Sequence, residues 1–576
     1  MPHVDHARTL VPLSRLIELS RRYRVIREPI RLIVRQWYAW ISNLRRERVS
    51  TPVLESEHAA GLVSIAPTEL QFSAAFDAET RHWALNVLLH HELATGFPCD
   101  DPEAKHDRVR MRGVLPALAE VLANSRSPAV GERIEFLLRG TVTQIESDRR
   151  TGWDATNSAL RLLSVLTATE TLRPHGLALP TASGLLHDFI AAHGPALRIG
   201  RIVEPEGNHR LINVLGRAAL QLLALPEVPL PAVLVDEIAL TFQKQFLHDG
   251  GHVERSPHYH AESVAIAALI RDVDASRHGD LAPRITPQLT RALDALAVMI
   301  SPTAAPVRFG DISRTFSGKL IACEVAEMLG AREHGSVMGA LPDFGLVHSE
   351  WVDNDRRFAL VFDCGPMGFE GNPGHGHADM LSFCFWRDDH ELIGDPGTFM
   401  YADRRDAMEF KLRGAHNCID WPAHPSSGLS RYFRWRRVPP PPRLAERTAS
   451  SSQLCMSADH SWRLGLRRYH HTRTWIPLTT GLAVLDKVQS SSPEQAVSLL
   501  NLHPDSRVTL SSPNAANVAH SRGEATVSIF GVDESCVDDA WYAPNYGVRR
   551  RAPVLRSSFT SGPTPSTILT VIEMPR

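Results

Sequence analysis

The sequence predicts an α+β multidomain protein in which a helical array is followed by a β-sandwich. Three observations carry this. The chain of 576 residues is too long for one core. Apolar residues recur at helical spacing from about residue 66 to 335, with short breakers between the runs. After about residue 340 the texture changes to short β-rich runs punctuated by Gly, Pro and Ser, and strands grouped after helices argue for separate domains. The expected division is a basic helical arm over 1–65, a helical domain over 66–338 and a β domain over 339–576.

In the helical part, Ala159, Leu162, Leu163 and Leu166 form one apolar stripe. Leu211, Leu215, Ala218 and Leu222 form a second, and Leu289, Leu293, Leu296 and Ile300 a third. Arg173-Pro-His-Gly176, Pro226-Glu-Val-Pro229 and Asp249-Gly-Gly251 break the runs. Such helices bury each other's stripes as antiparallel neighbours, and no fixed-period repeat marks a regular solenoid. In the β part, Gly345–His348, Arg357–Phe362, Leu381–Trp386, Thr472–Ile476, Leu482–Leu485, Ala525–Phe530 and Thr567–Ile572 read as strands. Arg387-Asp-Asp-His390 reads as a hairpin turn into Glu391-Leu-Ile393, and Pro439–Pro442 as a stiff extended loop.

Composition removes several classes of function. A formal net charge of -2 gives no global basic field for nucleic acid. No stretch approaches the ~20 apolar residues of a transmembrane segment. The seven cysteines contain no CxxC pair, so neither a cysteine zinc site nor a dense disulfide framework is indicated. Arginines interrupt every apolar run in residues 1–50, which leaves no secretory signal there. That basic arm reads as a solvated helical extension rather than a membrane-surface anchor.

Three polar clusters carry the chemistry. Asn208 and His209 follow Gly207 at the start of the helix bearing Leu211 to Leu222, where exposed amides favour an anion such as a carboxylate. Asn208 is equally suited to cap that helix. The second cluster is Asp249–His260, in which His258, His260 and Arg255 surround Tyr259. Cationic or hydrogen-bonding neighbours can make a phenol useful in proton transfer, and a tyrosine packed at a helix start is the plain alternative. The third is Pro373-Gly-His-Gly-His-Ala-Asp379, with Asp395-Pro-Gly-Thr398 and Ala415-His-Asn417. His375, His377 and Asp379 alternate, so on a strand all three would share one face. His377, Asp395 and His416 are ligand types suited to zinc. The turn at Asp388–Asp389 brings them into one neighbourhood, although a plain register sets His377 opposite a residue near 400, so a bulge or twist is required.

In this order the clusters resemble the heparinase II/III-like polysaccharide lyases from about residue 150 to the end. The resemblance rests on Asn208-His209, Glu254–His260, Phe309-Gly-Asp311, Pro373–Asp379, Asp395–Thr398 and Ala415–Asn417. It implies an incomplete α/α toroid followed by an antiparallel β-sandwich. It also implies β-elimination on an anionic, uronic-acid-containing polysaccharide, by abstraction of the C5 proton and departure of the C4 oxygen. On that resemblance Asn208, His209 and His375 neutralise the carboxylate or help take the proton, and Tyr259 is acid, base or both. His377, Asp395 and His416 hold a structural zinc, with no organic cofactor. Arg161, Arg255 and Arg308 are candidates to pair with substrate carboxylate or sulfate.

Three departures temper it. Ile212 stands where many relatives carry glutamate, and Glu409–Gly414 replaces an aromatic followed by Phe-Arg-Ser-Thr. Relatives are mostly periplasmic, whereas the absent signal keeps a cytoplasmic location open. A non-catalytic glycan-binding or exopolysaccharide-biosynthesis protein on the same fold is therefore the alternative, and a zinc hydrolase a third reading.

Overall fold

The computed structural model describes residues 106, 109–111 and 114–574, apart from 181–183, 278, 304, 314–337, 354–355, 451–452 and 522. The expected basic arm over 1–65 lies outside the described residues. Ten helices precede the sheets among those residues: α1 (Val114–Ser125), α2 (Pro128–Ser147), α3 (Arg149–Gly152), α4 (Ala155–Leu172), α5 (Leu185–Ala191), α6 (Gly194–Val203), α7 (Asn208–Ala224), α8 (Ala232–Gln245), α9 (Pro257–Ala275) and α10 (Ala282–Met299). None of the described helices is long and apolar enough to cross a membrane.

Local sequence explains their ends and contacts. Asp154 caps α4 by accepting from the amides of Thr156 and Asn157. Gly176 closes the Arg173–His175 turn at φ 69. The expected stripes of α4 and α7 are buried against each other in one core. The approach is close at Gly216, where an added Cβ would lie 2.4 Å from that of Ala159.

The chain then turns to antiparallel sheet. Strands β1 (Met338–Leu341), β2 (Leu346–Asp353), β3 (Arg356–Asp363), β4 (Phe383–Arg387) and β5 (His390–Ile393) form one sheet in sequence order. The β4–β5 hairpin turns at Asp388 with φ 56, and its register shifts between Phe385 and Trp386, the kind of irregularity required above. Short strands β6 (Ile419–Asp420), β7 (Gly428–Arg431) and β8 (Arg434–Arg437) follow. Next come β9 (Arg443–Ser450), β10 (Gln453–Leu464), β11 (Arg467–Leu478), β12 (Gly481–Ser490) and β13 (Glu494–Asn501). The last are β14 (Arg507–Ser512), β15 (Ala515–His520), β16 (Gly523–Phe530), β17 (Glu534–Asn545), β18 (Val548–Ser561) and β19 (Ser566–Glu573). An eight-stranded sheet runs β14-β15-β16-β19-β12-β11-β10-β9, and a four-stranded one β17-β18-β13-β6.

The run Phe358-Ala-Leu-Val-Phe362 shows how the layers join. Alternation sends Phe358, Leu360 and Phe362 into the sandwich core, where Phe362 stacks on Trp475 at 3.8 Å between centroids. Ala359 and Val361 face the helical core instead. A strand covered on both faces has no polar side to show, which is why this run is continuously apolar.

Candidate active site

One carboxylate organises the centre. Asp311 follows Gly310, which takes φ 68. Its Oδ2 accepts from His375 Nδ1 at 3.1 Å and Lys411 Nζ at 3.0 Å. Its Oδ1 accepts from His377 Nε2 at 2.9 Å and the Tyr432 hydroxyl at 2.8 Å. Burial opposes charge on Asp311, but Lys411, His375 and His377 outweigh it and hold the carboxyl well below the usual range. An ionised carboxylate only accepts, so His375 carries its proton on Nδ1 and His377 on Nε2. The other nitrogen of each ring is left bare.

Tyr259 sits in the first turn of α9, where Ser256 caps the helix by accepting from its amide at 3.2 Å. The same Ser256 hydroxyl donates to the Asp311 carbonyl at 2.7 Å, fixing α9 against the Asp311 loop. The Tyr259 ring packs on His375 with centroids 4.2 Å apart. Its hydroxyl lies 2.5 Å from that of Tyr401, which donates to the Ile312 carbonyl at 2.8 Å. Burial, with Tyr259 and Asp311 nearby, raises the Tyr401 phenol well above its ordinary value, so it keeps its proton. Since that proton goes to Ile312, Tyr259 is the donor to Tyr401.

Asn208 and His209 occupy an adjoining lip. Gly207 caps α7 with φ 113, and a Cβ there would meet Glu254 Oε1 at 2.2 Å. That same oxygen accepts from the Asn208 amide at 3.0 Å, so Gly207, not Asn208, is the cap, and Asn208 begins the helix. The Asn208 side-chain oxygen is buried without a hydrogen-bond partner. His209 Nδ1 lies 3.0 Å from the Thr156 hydroxyl and 3.3 Å from Glu204 Oε2. Burial lowers its basicity, but Glu204 raises it further, so the net shift is upward. The segment from His252 to Tyr259 joins this lip to the Tyr259–His375 pair.

The third motif departs from the expected strand. Pro373–His375 is a short 3-10 turn, and residues 376–382 form loop before β4. Pro373, Gly374 and Gly376 favour a turn over a ladder. The histidines still converge, because Asp311 gathers both.

A group of side chains able to hold a metal ion lies beside it. Ligand atoms of His377, Asp379 and His416 fall within 4.8 Å of one another, all three residues buried. His377 Nδ1 and His416 Nε2 have no hydrogen-bond partner. Asp395 differs from its expected place as a ligand: its Oδ2 meets His416 Nδ1 at 2.8 Å, which orients that ring and leaves Nε2 bare. Burial together with Asp379 and Asp395 drives the Asp363 carboxyl upward. Two bare buried imidazole nitrogens with a carboxylate fit a divalent ion.

The three arginines expected to touch substrate are structural here. Arg161 is fully buried and gives its guanidinium to the carbonyls of Val109 and Gly152 and to His193 Nε2. Arg255 binds the carbonyls of Val253, Gly368 and Asp343, bracing loops. Arg308 holds Glu391 at 2.5 Å, Tyr542 and the Asp395 carbonyl. Sequence reasoning in turn omitted Asp311, Tyr401, Lys411 and Tyr432 as site residues. Asp311 was visible in Phe309-Gly-Asp311, whereas nothing local marks Tyr401, Lys411 or Tyr432.

Residues 336–569 match the family model "Heparinase II/III-like, C-terminal". Over these residues the chain is similar to the heparinase II/III-like family. Among solved structures, a heparinase III aligns over 93% of this chain and 89% of its own, with 14% identity and a TM-score of 0.65. A second heparinase III gene product covers 98% and 91%, with 14% identity and a TM-score of 0.59. Heparan sulfate lyase HepC from Pedobacter heparinus covers 98% and 92%, at 13% identity and 0.56. These likenesses establish the shared fold, an incomplete toroid followed by a sandwich. No curated protein matches the chain in sequence.

Proposed function

We propose that this heparinase-like chain is a polysaccharide lyase that cleaves a uronic-acid-containing polymer by β-elimination. The observation carrying the reading is the Tyr259–His375 pair, with Tyr259 hydrogen-bonded to Tyr401 and His375 fixed through Nδ1 by Asp311. In the elimination the C5–H bond breaks, its electron pair becomes the C4–C5 double bond, and the C4–O bond opens. Two proton positions are therefore needed. His375 Nε2 is the bare nitrogen suited to take the C5 proton, and Tyr259 holds the proton suited to the departing oxygen. Should Tyr259 serve as base instead, Tyr401 can turn its hydroxyl from Ile312 to the phenolate. Asn208 and His209 are proposed to face the sugar carboxylate, where negative charge builds as C5 loses its proton.

His377, Asp379 and His416 would hold a zinc ion, with Asp395 orienting His416. Such an ion supplies positive charge that braces the loop carrying His375. The ligands are closed off from solvent, which disfavours hydrolysis by a metal-bound water, since that needs an open position. An ultraviolet assay for unsaturated uronate tests the proposal, using heparan sulfate, hyaluronan, alginate and bacterial uronate polymers. Turnover is expected for one substrate class and is lost in Tyr259→Phe. A flat trace from folded protein across the whole panel, with saturable binding retained, would establish the non-catalytic alternative.

A further inference from the structure

A second polar concavity lies on the sandwich, away from Tyr259. Met456, Ala458, Trp475 and Val484 of β10–β12 point into the sandwich core. Alternation therefore places Ser461, Arg463, Arg468, His470 and Gln489 on the opposite face of the eight-stranded sheet. With Pro440 and Pro563 as walls they line a cavity of about 730 Å³, within the size range of small-molecule sites. Among the described residues no carboxylate lines it. Arg463 and Arg468 are exposed and directly opposite each other across the β10–β11 pair. Like charges in that register repel, so the pairing weakens the sheet unless something neutralises it. Among the described residues neither arginine has an ion-pair partner, whereas neighbouring Arg467 reaches Glu494. Asp459 stands beside His470, 3.9 Å from Nε2, and accepts from Thr472. The proline run that shapes one wall is anchored by His460 Nε2, 3.1 Å from the Pro440 carbonyl. Trp462, on the Met456 face by the same alternation, turns its ring into the core against Trp421 and Tyr469.

We infer that this concavity is a second saccharide-binding site, taking a carboxylate- or sulfate-bearing sugar through the paired forks of Arg463 and Arg468. Two forks on one face suit a planar carboxylate or a sulfate, and the cavity is larger than a bare ion needs. The source of that sugar, the anionic polymer, rests on the lyase proposal. A second hold on one polymer chain would raise the local concentration of cleavable units at the first site.

The test is titration calorimetry of the full chain carrying Tyr259→Phe, so that binding is read without turnover. The probes are an alginate tetrasaccharide, bearing carboxylates only, and a heparin tetrasaccharide, bearing sulfates as well. Adding R463A and R468A should remove one equivalent of bound tetrasaccharide per chain. The control R139A with R173A removes the same two charges from ion-paired positions in the helical layer and should remove none. Loss of binding with both probes assigns the site to the carboxylate, and loss with the heparin probe alone to the sulfate. Unchanged stoichiometry with both probes, or an equal loss in the control, overturns the inference. Because repulsion is relieved, the double variant should melt no lower than its parent; if it fails to fold, R463Q with R468Q serves. A flat ultraviolet assay with this equivalent intact would sink the lyase proposal and spare the second site.

Discussion

Asp311 shows how much one residue can hold in place. Four side chains converge on its two oxygens, one of them the buried ammonium of Lys411. Removing a single partner of a buried ion pair leaves a charge that water cannot reach. Lys411→Met should therefore destabilise the fold by about 3–5 kcal/mol in chemical denaturation. A loss below about 1 kcal/mol would mean that the histidines and Tyr432 suffice for Asp311. The tyrosine pair separates chemistry from support. Tyr259→Phe removes the proposed transferable proton and should lower kcat by about 10²–10⁴-fold, the usual range for a lost acid or base. Tyr401→Phe removes only the acceptor that aims Tyr259, so about tenfold is expected, chiefly in kcat. Equal losses in the two variants would place Tyr401 in the chemistry itself.

At the scale of elements, the site depends on how segments begin. Helix α7 starts at Gly207 because the Glu254 carboxylate occupies the space of a side chain there. Gly207→Ala must move Glu254 and also strain a backbone at φ 113. Loss of turnover with melting lowered by a few degrees is expected; full activity would show that the Asn208 lip is not needed. The metal loop makes a parallel prediction. His416→Ala should abolish zinc binding measured by elemental analysis and leave the toroid's helical circular dichroism intact. Stoichiometric zinc in that variant would show that the bare nitrogens are not ligands. These elements also mark what sequence could reveal. The stripes of α4 and α7 and the alternating strands were legible because their periods are local. The turn at Pro373–His375 was misread because alternation alone cannot distinguish a strand from a glycine-broken loop. Asp311 lies 64–121 residues from the four side chains it gathers, so no spacing rule could find that centre. The structural roles of Arg161, Arg255 and Arg308 depend on burial and carbonyl contacts, which a motif does not encode.

Over the whole molecule, buried neutral histidines set the response to acid. His193 in the helical layer accepts from Arg161 at 2.8 Å, and burial with that cation pushes it down to about 3. His260 faces the Ala292 carbonyl at 2.9 Å between α9 and α10, and burial pushes it down to about 4. His471, under the large sheet, is held at about 4 by burial, which prevails over its bond to Asp486. His252, His460, His503 and His520 are also shifted down by burial, while His209 is shifted up. A histidine whose folded pKa is lowered binds its proton in the unfolded chain first. Its contribution is complete above the unfolded value of about 6.5 and is lost as pH falls towards 4. His209 and His416 act in the opposite sense, against eight held down once His377 is added, and the His209 side chain is 39% exposed. Each group that charges only on unfolding contributes a slope of up to about 1.4 kcal/mol per pH unit in that window. The carboxylates Asp311 and Asp486 are held low and would add their losses only below the ordinary carboxylate range. Melting temperature should therefore fall from pH 7 to pH 5, the histidines outnumbering the buried Asp363 and Asp420, whose raised carboxyls act in the opposite sense. A melting temperature that is flat or rising over that interval would mean that these histidines open to water without global unfolding.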